Sequence, residues 1–143
     1  MADPQLVQEW LDKAEEDFGF AASVIKESPY FAQICFHFHQ AAEKYLKAHI
    51  IAYDLEFEKI HDLPVLLEIC MQRDPGLQII LDDCKFLNRY YIEASYPVHW
   101  PTNYNKEEAQ KAKLAADVTA DSTFPPYHRF EWTLHGGRSG GRA

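Results

Sequence analysis

The feature that most constrains the fold is a helix-start signal that the sequence repeats. An Asp or Ser stands directly before a proline at Asp3-Pro4, Ser28-Pro29 and Asp74-Pro75. Asp and Ser are favoured as N-cap residues because their side chains accept a hydrogen bond from the first helical turn. Proline is favoured at the next position because its ring fixes a helical φ and the first-turn N–H groups lack a helical partner anyway. We therefore expect a helix to begin at each of these points.

Apolar residues recur after the first two signals with the period of an α-helix. The first stripe predicts a helix from Pro4 to about Glu27, and the second predicts a helix from Pro29 to about Tyr53. The second helix is apolar over most of its circumference, which is typical of the central helix of a bundle. Its remaining face is polar and must meet water, a partner or a cavity. That face carries Gln33, His37, Gln40, Lys44 and Lys47.

Three further segments complete the helical pattern. One helix is predicted from about His61 to Gln72, and another from Asp74 to about Ala94 with Tyr91 on its inward side. Asn105 resembles the first residue of a capping box and starts a last helix that runs to about Val118. No stretch carries a strand signal, and short connections favour antiparallel neighbours. The predicted fold class is all-α, an up-down helical bundle of four to five helices.

The chain is predicted to be one domain followed by a tail. A length of 143 residues fits a single domain, and residues 1–118 hold the whole helical pattern. Two adjacent prolines, Pro125 and Pro126, stop a helix, and a Gly/Ser/Arg run follows them. Residues 119–143 are therefore predicted to be a flexible or loosely docked tail. Cys35, Cys70 and Cys84 lack close spacing, so we expect buried apolar groups rather than a disulfide framework.

Charge and hydropathy restrict the partners and the cellular location that we expect for the protein. The formal net charge is −8, which disfavours non-specific nucleic-acid binding because that binding depends on Lys and Arg neutralising phosphates. No apolar run is long enough to span a bilayer. The first residues lack the basic and then apolar layout of a signal peptide. We expect a cytoplasmic protein that binds neither DNA nor a membrane.

Four short motifs occur in the order in which one known family carries them. They are Trp10…Ala14…Asp17, the run Gln40–Ala48, His61-Asp62-Leu63 followed by Leu66, and Tyr91 followed by Ala94-Ser95-Tyr96-Pro97. Together they resemble the HEPN domain, the nucleotide-binding domain of higher eukaryotes and prokaryotes, over about residues 6–118. The resemblance implies a helical bundle that is usually a homodimer. It also implies a nucleotidyltransferase partner, often in a toxin–antitoxin pair.

The resemblance further implies where an enzymatic activity would lie. Catalytic members of the family are metal-independent ribonucleases whose motif is an Arg followed shortly by a His. This sequence departs from that pattern, because Ser95 replaces a family Arg, and Arg89 and His99 lie farther apart than the motif allows. Arg129 and His135 are suitably spaced but belong to the tail, outside the resemblance, so we attribute that match to chance.

Two sets of candidate site residues follow. Lys supplies a point charge and His a switchable one, so the polar face of the second helix is a candidate site for a nucleotide phosphate or an RNA backbone. The alternative is that this face is a solvated surface or part of a dimer seam. The candidate binding residues are His37, Gln40, Lys44 and Lys47, and the candidate catalytic residues are Arg89 and His99.

Other polar and aromatic residues carry weaker hypotheses. Glu43 lies near the apolar side of its helix and needs a partner, for which Arg89 is the predicted choice. His61 is expected to cap or orient the third helix. Tyr91 belongs to an aromatic cluster that suggests base stacking, although core packing is the simpler interpretation. The other members of that cluster are Tyr90, Tyr96 and Trp100.

Three functions remain open from the sequence. The first is a nucleotide- or RNA-associated binding module that pairs with a nucleotidyltransferase. The second is a metal-independent endoribonuclease that uses Arg89 and His99, brought together across a dimer. The third is a nucleotide-binding carrier without catalysis. No cofactor and no metal are expected, since the sequence has neither a Gly-rich phosphate loop nor zinc-ligand spacing.

Overall fold

Helices make up the regular structure of the chain. The computed structural model describes residues 2–56, 59–95 and 104–126, and within these ranges it contains five α-helices and no strand. In chain order the helices are α1 (Pro4–Val24), α2 (Phe31–Ala52), α3 (Leu63–Met71), α4 (Leu81–Ser95) and α5 (Lys106–Thr123), with a short 3-10 helix, Pro75–Ile80, before α4. The predicted all-α helical bundle is confirmed.

Side-chain caps fix two of the predicted helix starts. The Asp3 carboxylate accepts a hydrogen bond from the backbone N–H of Gln5 at 3.0 Å. The Asn105 amide oxygen accepts one from the N–H of Glu108 at 2.8 Å. Each cap satisfies an N–H group that has no partner inside the helix and stabilises it by about 1 kcal/mol. The expected starts of α1 and α5 are therefore confirmed.

The Ser28 signal acts differently from the prediction. Its hydroxyl oxygen accepts a hydrogen bond from the N–H of Tyr30 at 3.1 Å, which closes a tight turn ahead of the helix. As a result α2 begins at Phe31 and not at Pro29.

The Asp74 signal also departs from the prediction, because it opens the 3-10 helix rather than α4. The Asp74 carboxylate accepts a hydrogen bond from the N–H of Gly76 at 3.1 Å, only two residues ahead. Side chains three residues apart are eclipsed in a 3-10 helix. Leu77 and Ile80 therefore point the same way, and both are buried in the core.

The last helix is longer than predicted. The expected end at Val118 is wrong, since α5 continues to Thr123. The Thr119 hydroxyl donates to the carbonyl of Ala115 at 2.8 Å, and the ring of Phe124, directly after the helix, is buried. Packing of that ring supports an extra helical turn, as tertiary contacts commonly do. Residues 127–143 of the predicted tail lie outside the described residues.

Helix α2 is the centre of the bundle and packs against each of the other four α-helices. This confirms the interpretation of its wide apolar face. The core forms two clusters, a larger one with α3, α4 and α5 around Phe38 and Leu46, and a smaller one with α1 and the end of α5 around Tyr45 and Phe124. None of the helices that the structure describes is both long and apolar enough to cross a membrane.

The cysteines belong to the core, as expected. All three are buried, and none forms a disulfide. Burial raises the pKa of Cys70 and of Cys84 to about 12, because a thiolate is poorly solvated there. Since the thiolate is the reactive form, these groups are chemically inert at neutral pH.

Candidate functional site

The polar face of α2 carries two clusters that share one design, a carboxylate that contacts both a lysine and a histidine. In the Asp17 cluster, Asp17 of α1 accepts a hydrogen bond from Nδ1 of His37 at 3.0 Å and forms an ion pair with Lys44. The two basic residues belong to α2, so the cluster joins α1 to α2. Two of the four predicted phosphate ligands therefore contact Asp17.

The Glu43 cluster lies further along α2 and reaches the start of α3. Glu43 forms an ion pair with Lys47 at 2.9 Å, and both of its oxygens lie 3.1 Å from Nδ1 of His61. The carboxylate of Glu43 is 5% exposed and the side chain of Lys47 is 6% exposed. The indole of Trp10 also lies near the Lys47 ammonium, at 5.9 Å. A buried carboxylate is thus neutralised by a buried cation.

The contacts with the carboxylates also determine which ring nitrogen of each histidine carries the proton. A carboxylate only accepts hydrogen bonds, so Nδ1 of His37 and of His61 carries the proton. In the neutral imidazole this leaves Nε2 as an acceptor. His61 does not cap α3, because the Asp62 side chain accepts the hydrogen bond from Val65 N–H. It orients the start of α3 by binding to α2.

A third histidine, His39, is fully buried beside the Glu43 cluster. Its Nδ1 donates to the side-chain oxygen of Gln40 at 3.0 Å. Its Nε2 has no hydrogen-bond partner among the described residues. Burial lowers the pKa of His39, against an opposing effect of the Glu43 charge. The ring is therefore held neutral, and Gln40, a predicted phosphate ligand, is occupied in orienting it.

Aromatic rings connect the two clusters across the surface. We define the aromatic row as Phe20, His37, Phe36, Tyr91 and His61, in which successive ring centroids lie 5.0, 5.9, 6.2 and 5.0 Å apart. The last two contacts are stacked, with interplanar angles of 26° and 15°. The row contains Phe20 of α1, Phe36 and His37 of α2, and Tyr91 of α4, and it ends at His61, just before the start of α3.

The prediction that Tyr91 points inward is wrong. Cys84, Leu87 and Tyr90 are fully buried and Tyr91 is half-buried. Because successive helical residues are about 100° apart, placing Tyr90 in the core turns Tyr91 to the flank. The Tyr91 ring contacts Phe36, His61 and the fully buried His39, so the base-stacking interpretation of Tyr91 stays a prediction.

The predicted catalytic Arg89 is engaged elsewhere. It forms an ion pair with Glu108 of α5 and donates to the hydroxyl of Tyr90 at 3.1 Å. The Tyr90 hydroxyl in turn donates to Glu108 at 2.9 Å. The predicted pair between Glu43 and Arg89 is thus wrong: Glu43 binds Lys47 and His61 instead.

Several predicted residues cannot be placed against this site. His99, Tyr96 and Trp100 lie outside the described residues, as do Arg129 and His135. The juxtaposition of Arg89 and His99 therefore stays a prediction. The sequence reasoning missed Asp17 as a site residue, although it belongs to one of the four motifs. It also missed His61 as the partner of Glu43, because both pairings join separate helices. In the described part of the chain no group of three or more His, Cys, Asp or Glu could hold a metal ion.

A second buried histidine lies at the other end of α2. His49 donates from Nδ1 to the carbonyl of Thr123 at 3.2 Å, and its ring packs against Tyr53 and Phe124. This bond satisfies a carbonyl of the last turn of α5. Burial lowers the pKa of His49. The contact is structural, since His49 lies in the smaller core cluster and not on the polar face.

Comparison with known proteins defines the class. The sequence profile of the HEPN domain matches residues 7–118. The chain therefore belongs to the HEPN domain family.

Two solved structures are similar to it. TT1696 from Thermus thermophilus superposes with a TM-score of 0.70 at 25% sequence identity, over 83% of this chain and 96% of that one. ST0689, described as an archaeal HEPN homologue, superposes with a TM-score of 0.65 at 21% identity, over 82% of this chain and 93% of that one, and shows the shared fold. No curated protein matches the sequence.

Proposed function

We propose that this chain is a HEPN module that binds nucleotides or RNA without cleaving them. We further propose that it forms a homodimer in the cytoplasm and pairs with a nucleotidyltransferase-type protein, as one half of a toxin–antitoxin system. Membership of the HEPN family supports the coarser part of this proposal, a nucleotide- or RNA-related module. The finer part, the homodimer and the nucleotidyltransferase partner, is what the resemblance to the family implies.

The observation that carries the proposal is the pairing of the basic side chains at the site. Lys44 contacts Asp17, Lys47 contacts Glu43, and Arg89 contacts Glu108. Catalysis of phosphodiester cleavage requires cations aimed at the charge that develops on the phosphate. Here each of these cations already faces a carboxylate, which supports the absence of phosphodiester cleavage by these residues.

An exposed apolar side chain beside the polar face supports a protein partner. Phe20 of α1 is exposed, and its ring lies 5.0 Å from that of His37. Exposed aromatic residues are enriched where proteins associate. We expect the partner protein to contact the surface around Phe20.

Co-purification tests the pairing. The chain is co-expressed with a minimal nucleotidyltransferase, and the complex is measured by size-exclusion chromatography with light scattering at micromolar concentration. Phe20→Asp is expected to weaken the complex at least about 10-fold, as for a central interface aromatic. Leu114→Asp, an equivalent change at an exposed apolar position of α5, is the matched control and is expected to have little effect.

The same chromatography reports the proposed homodimer, since the mass of the isolated chain distinguishes one copy from two. Absence of any complex at micromolar concentration would contradict the pairing with a nucleotidyltransferase. Equal losses in Phe20→Asp and Leu114→Asp would contradict the assigned surface but not the pairing.

Incubation of the purified protein with total RNA tests the absence of cleavage. We expect intact RNA. Cleavage that both Arg89→Ala and His99→Ala abolish would instead establish the ribonuclease alternative.

A further inference from the structure

The aromatic row provides a surface that the proposed binding function does not yet use. Phe36, Tyr91 and His61 form a continuous offset stack of nearly parallel rings. They come from α2, α4 and the residue before the α3 cap, so the bundle itself holds them in place. Phe36 and Tyr91 are half-buried and His61 is exposed. Such a row differs from core aromatics, which show no free face.

We propose that this stack binds a nucleobase, so that the chain recognises its nucleotide or RNA through the base rather than through the phosphate. This inference rests on the function proposed above and specifies its site. The base extends the stack at the His61 end. Stacking of a base on an aromatic ring contributes about 1–3 kcal/mol and tolerates different bases.

The surroundings of His61 define the open end of the stack. Tyr91 covers one face of the imidazole, with the ring centroids 5.0 Å apart. Glu43 holds the Nδ1 edge. The His61 side chain is nevertheless 50% exposed, so a large part of the ring remains accessible beside these two contacts. A planar ligand that stacks on this accessible part displaces neither Tyr91 nor Glu43.

The charges beside the stack disfavour recognition through phosphate. Lys44 and Lys47 each contact a carboxylate, so a phosphate would have to displace Asp17 or Glu43 from them. The Glu43 pair is buried, and separating a buried ion pair is costly. The formal net charge of −8 also repels polyanions at long range. A base is neutral and needs no ion pair to be displaced, so binding through the base avoids the first penalty, and a nucleoside avoids both.

Polar groups near the stack suit the edge of a base. The ring of His39 lies 5.4 Å from that of Tyr91 and donates a hydrogen bond to the side-chain oxygen of Gln40, which leaves the Gln40 amide N–H groups as donors. His61 presents Nε2 as an acceptor. Few and fixed polar groups beside an aromatic surface are the usual arrangement of a small-molecule site.

Calorimetric titration of the full chain tests the inference. The probes are adenosine, cytidine, AMP, ATP and inorganic phosphate, each at low and high salt. We expect the nucleosides to bind about as tightly as their nucleotides and inorganic phosphate not to bind. The dissociation constants should change little with salt, because few counterions are released when phosphates are not contacted.

Substitution of His61 is the direct test, and substitutions in α4 supply matched controls. His61→Ala removes the ring on which the base stacks and is expected to weaken nucleoside binding about 10-fold. Tyr91→Leu keeps the apolar bulk but removes the ring that supports His61, and is expected to weaken binding by a smaller factor because it acts through His61. Tyr91→Phe should retain binding. Phe86→Leu makes the same kind of change at a half-buried aromatic outside the row and should also retain it.

Two results would overturn the inference, and they are distinguishable. Binding of ATP but not adenosine, with steep salt dependence and loss in Lys44→Gln, would show phosphate recognition, and the proposed binding function would stand. No binding of any nucleoside, nucleotide or short single-stranded RNA would remove both the base site and the nucleotide function.

Discussion

The Asp17 and Glu43 clusters each combine a carboxylate, a lysine and a histidine, with the lysine on α2 in both, but they differ in burial. In the Asp17 cluster the carboxylate is 15% exposed and its lysine partner 23%. In the Glu43 cluster the values are 5% and 6%. Exposed ion pairs contribute little to stability, whereas removing one member of a buried pair is strongly destabilising. The Asp17 ion pair is thus expected to contribute little to stability, whereas the fold is expected to depend on the Glu43 ion pair.

The largest effect is expected for Glu43→Gln. The change removes the negative charge but keeps the shape, so the buried Lys47 ammonium loses the Glu43 charge. Breaking a buried pair in this way costs about 3–5 kcal/mol. Urea denaturation followed by circular dichroism measures the change in the free energy of unfolding.

Asp17→Asn is the matched control for that measurement. It makes the same chemical change in the more exposed cluster, and we expect a loss of at most about 1 kcal/mol. Equal losses in Glu43→Gln and Asp17→Asn would contradict the distinction between the two clusters.

The next effect is a recovery of stability in a double variant. In Glu43→Gln/Lys47→Met the ammonium that has lost the Glu43 charge is replaced by an apolar chain of similar length. Replacing a buried ion pair by apolar groups is often neutral, so we expect about 2 kcal/mol or more of the loss to return. The same denaturation experiment measures it. A double variant less stable than Glu43→Gln would mean that Lys47 stabilises the fold through contacts other than the pair.

The starts of α1 and α5 could be predicted from the sequence because capping is local. Asp3 and Asn105 each bind an N–H group two or three residues ahead, so a short window contains both partners. The central position of α2 could also be predicted, because the width of an apolar face reports how many neighbours a helix has. The order of the four motifs identified the family for the same reason, since each motif is a local pattern.

The site contacts could not be predicted, because they join residues that are distant in sequence. Asp17 contacts residues of the next helix, and Glu43 contacts His61 across a loop. The helical wheel gives the face of each residue but not the neighbour that covers it. Because the neighbouring residue is unknown from the sequence, the partner predicted for Glu43 was wrong. The direction predicted for Tyr91 was wrong because a shift of one helical position turns a side chain from the core towards the surface.

Acid is expected to destabilise the fold through His39, the buried histidine beside the Glu43 cluster. Burial lowers the pKa of His39. Below a pH of about 6.5 the unfolded chain therefore binds a proton that the folded chain does not. Stability contributed by neutral His39 is present above that pH and is lost as the pH falls towards the folded pKa, by up to about 1.4 kcal/mol per pH unit.

Denaturation midpoints of the wild type and His39→Gln between pH 7.5 and 5.5 measure this effect. The variant should show a shallower decline than the wild type. His37→Gln, in the exposed cluster, is the comparison. A slope in His39→Gln equal to that of the wild type would exclude His39 as a source of the acid sensitivity.

The smallest expected effect is a difference between the two clusters in how the cost of a substitution depends on ionic strength. The Debye length falls from about 10 Å at 0.1 M salt to about 3 Å at 1 M, and salt screens exposed charges far more than buried ones. The cost of Asp17→Asn, at most about 1 kcal/mol at low salt, should therefore approach zero at 1 M, while the cost of Glu43→Gln should persist. Sodium chloride rather than guanidinium chloride is the added salt, with urea as denaturant, so that screening is varied separately from denaturation. If both costs fell in proportion, the Glu43 pair would be accessible to solvent ions, and a phosphate could then compete for Lys47. That result would weaken the burial argument on which base recognition by the aromatic row depends.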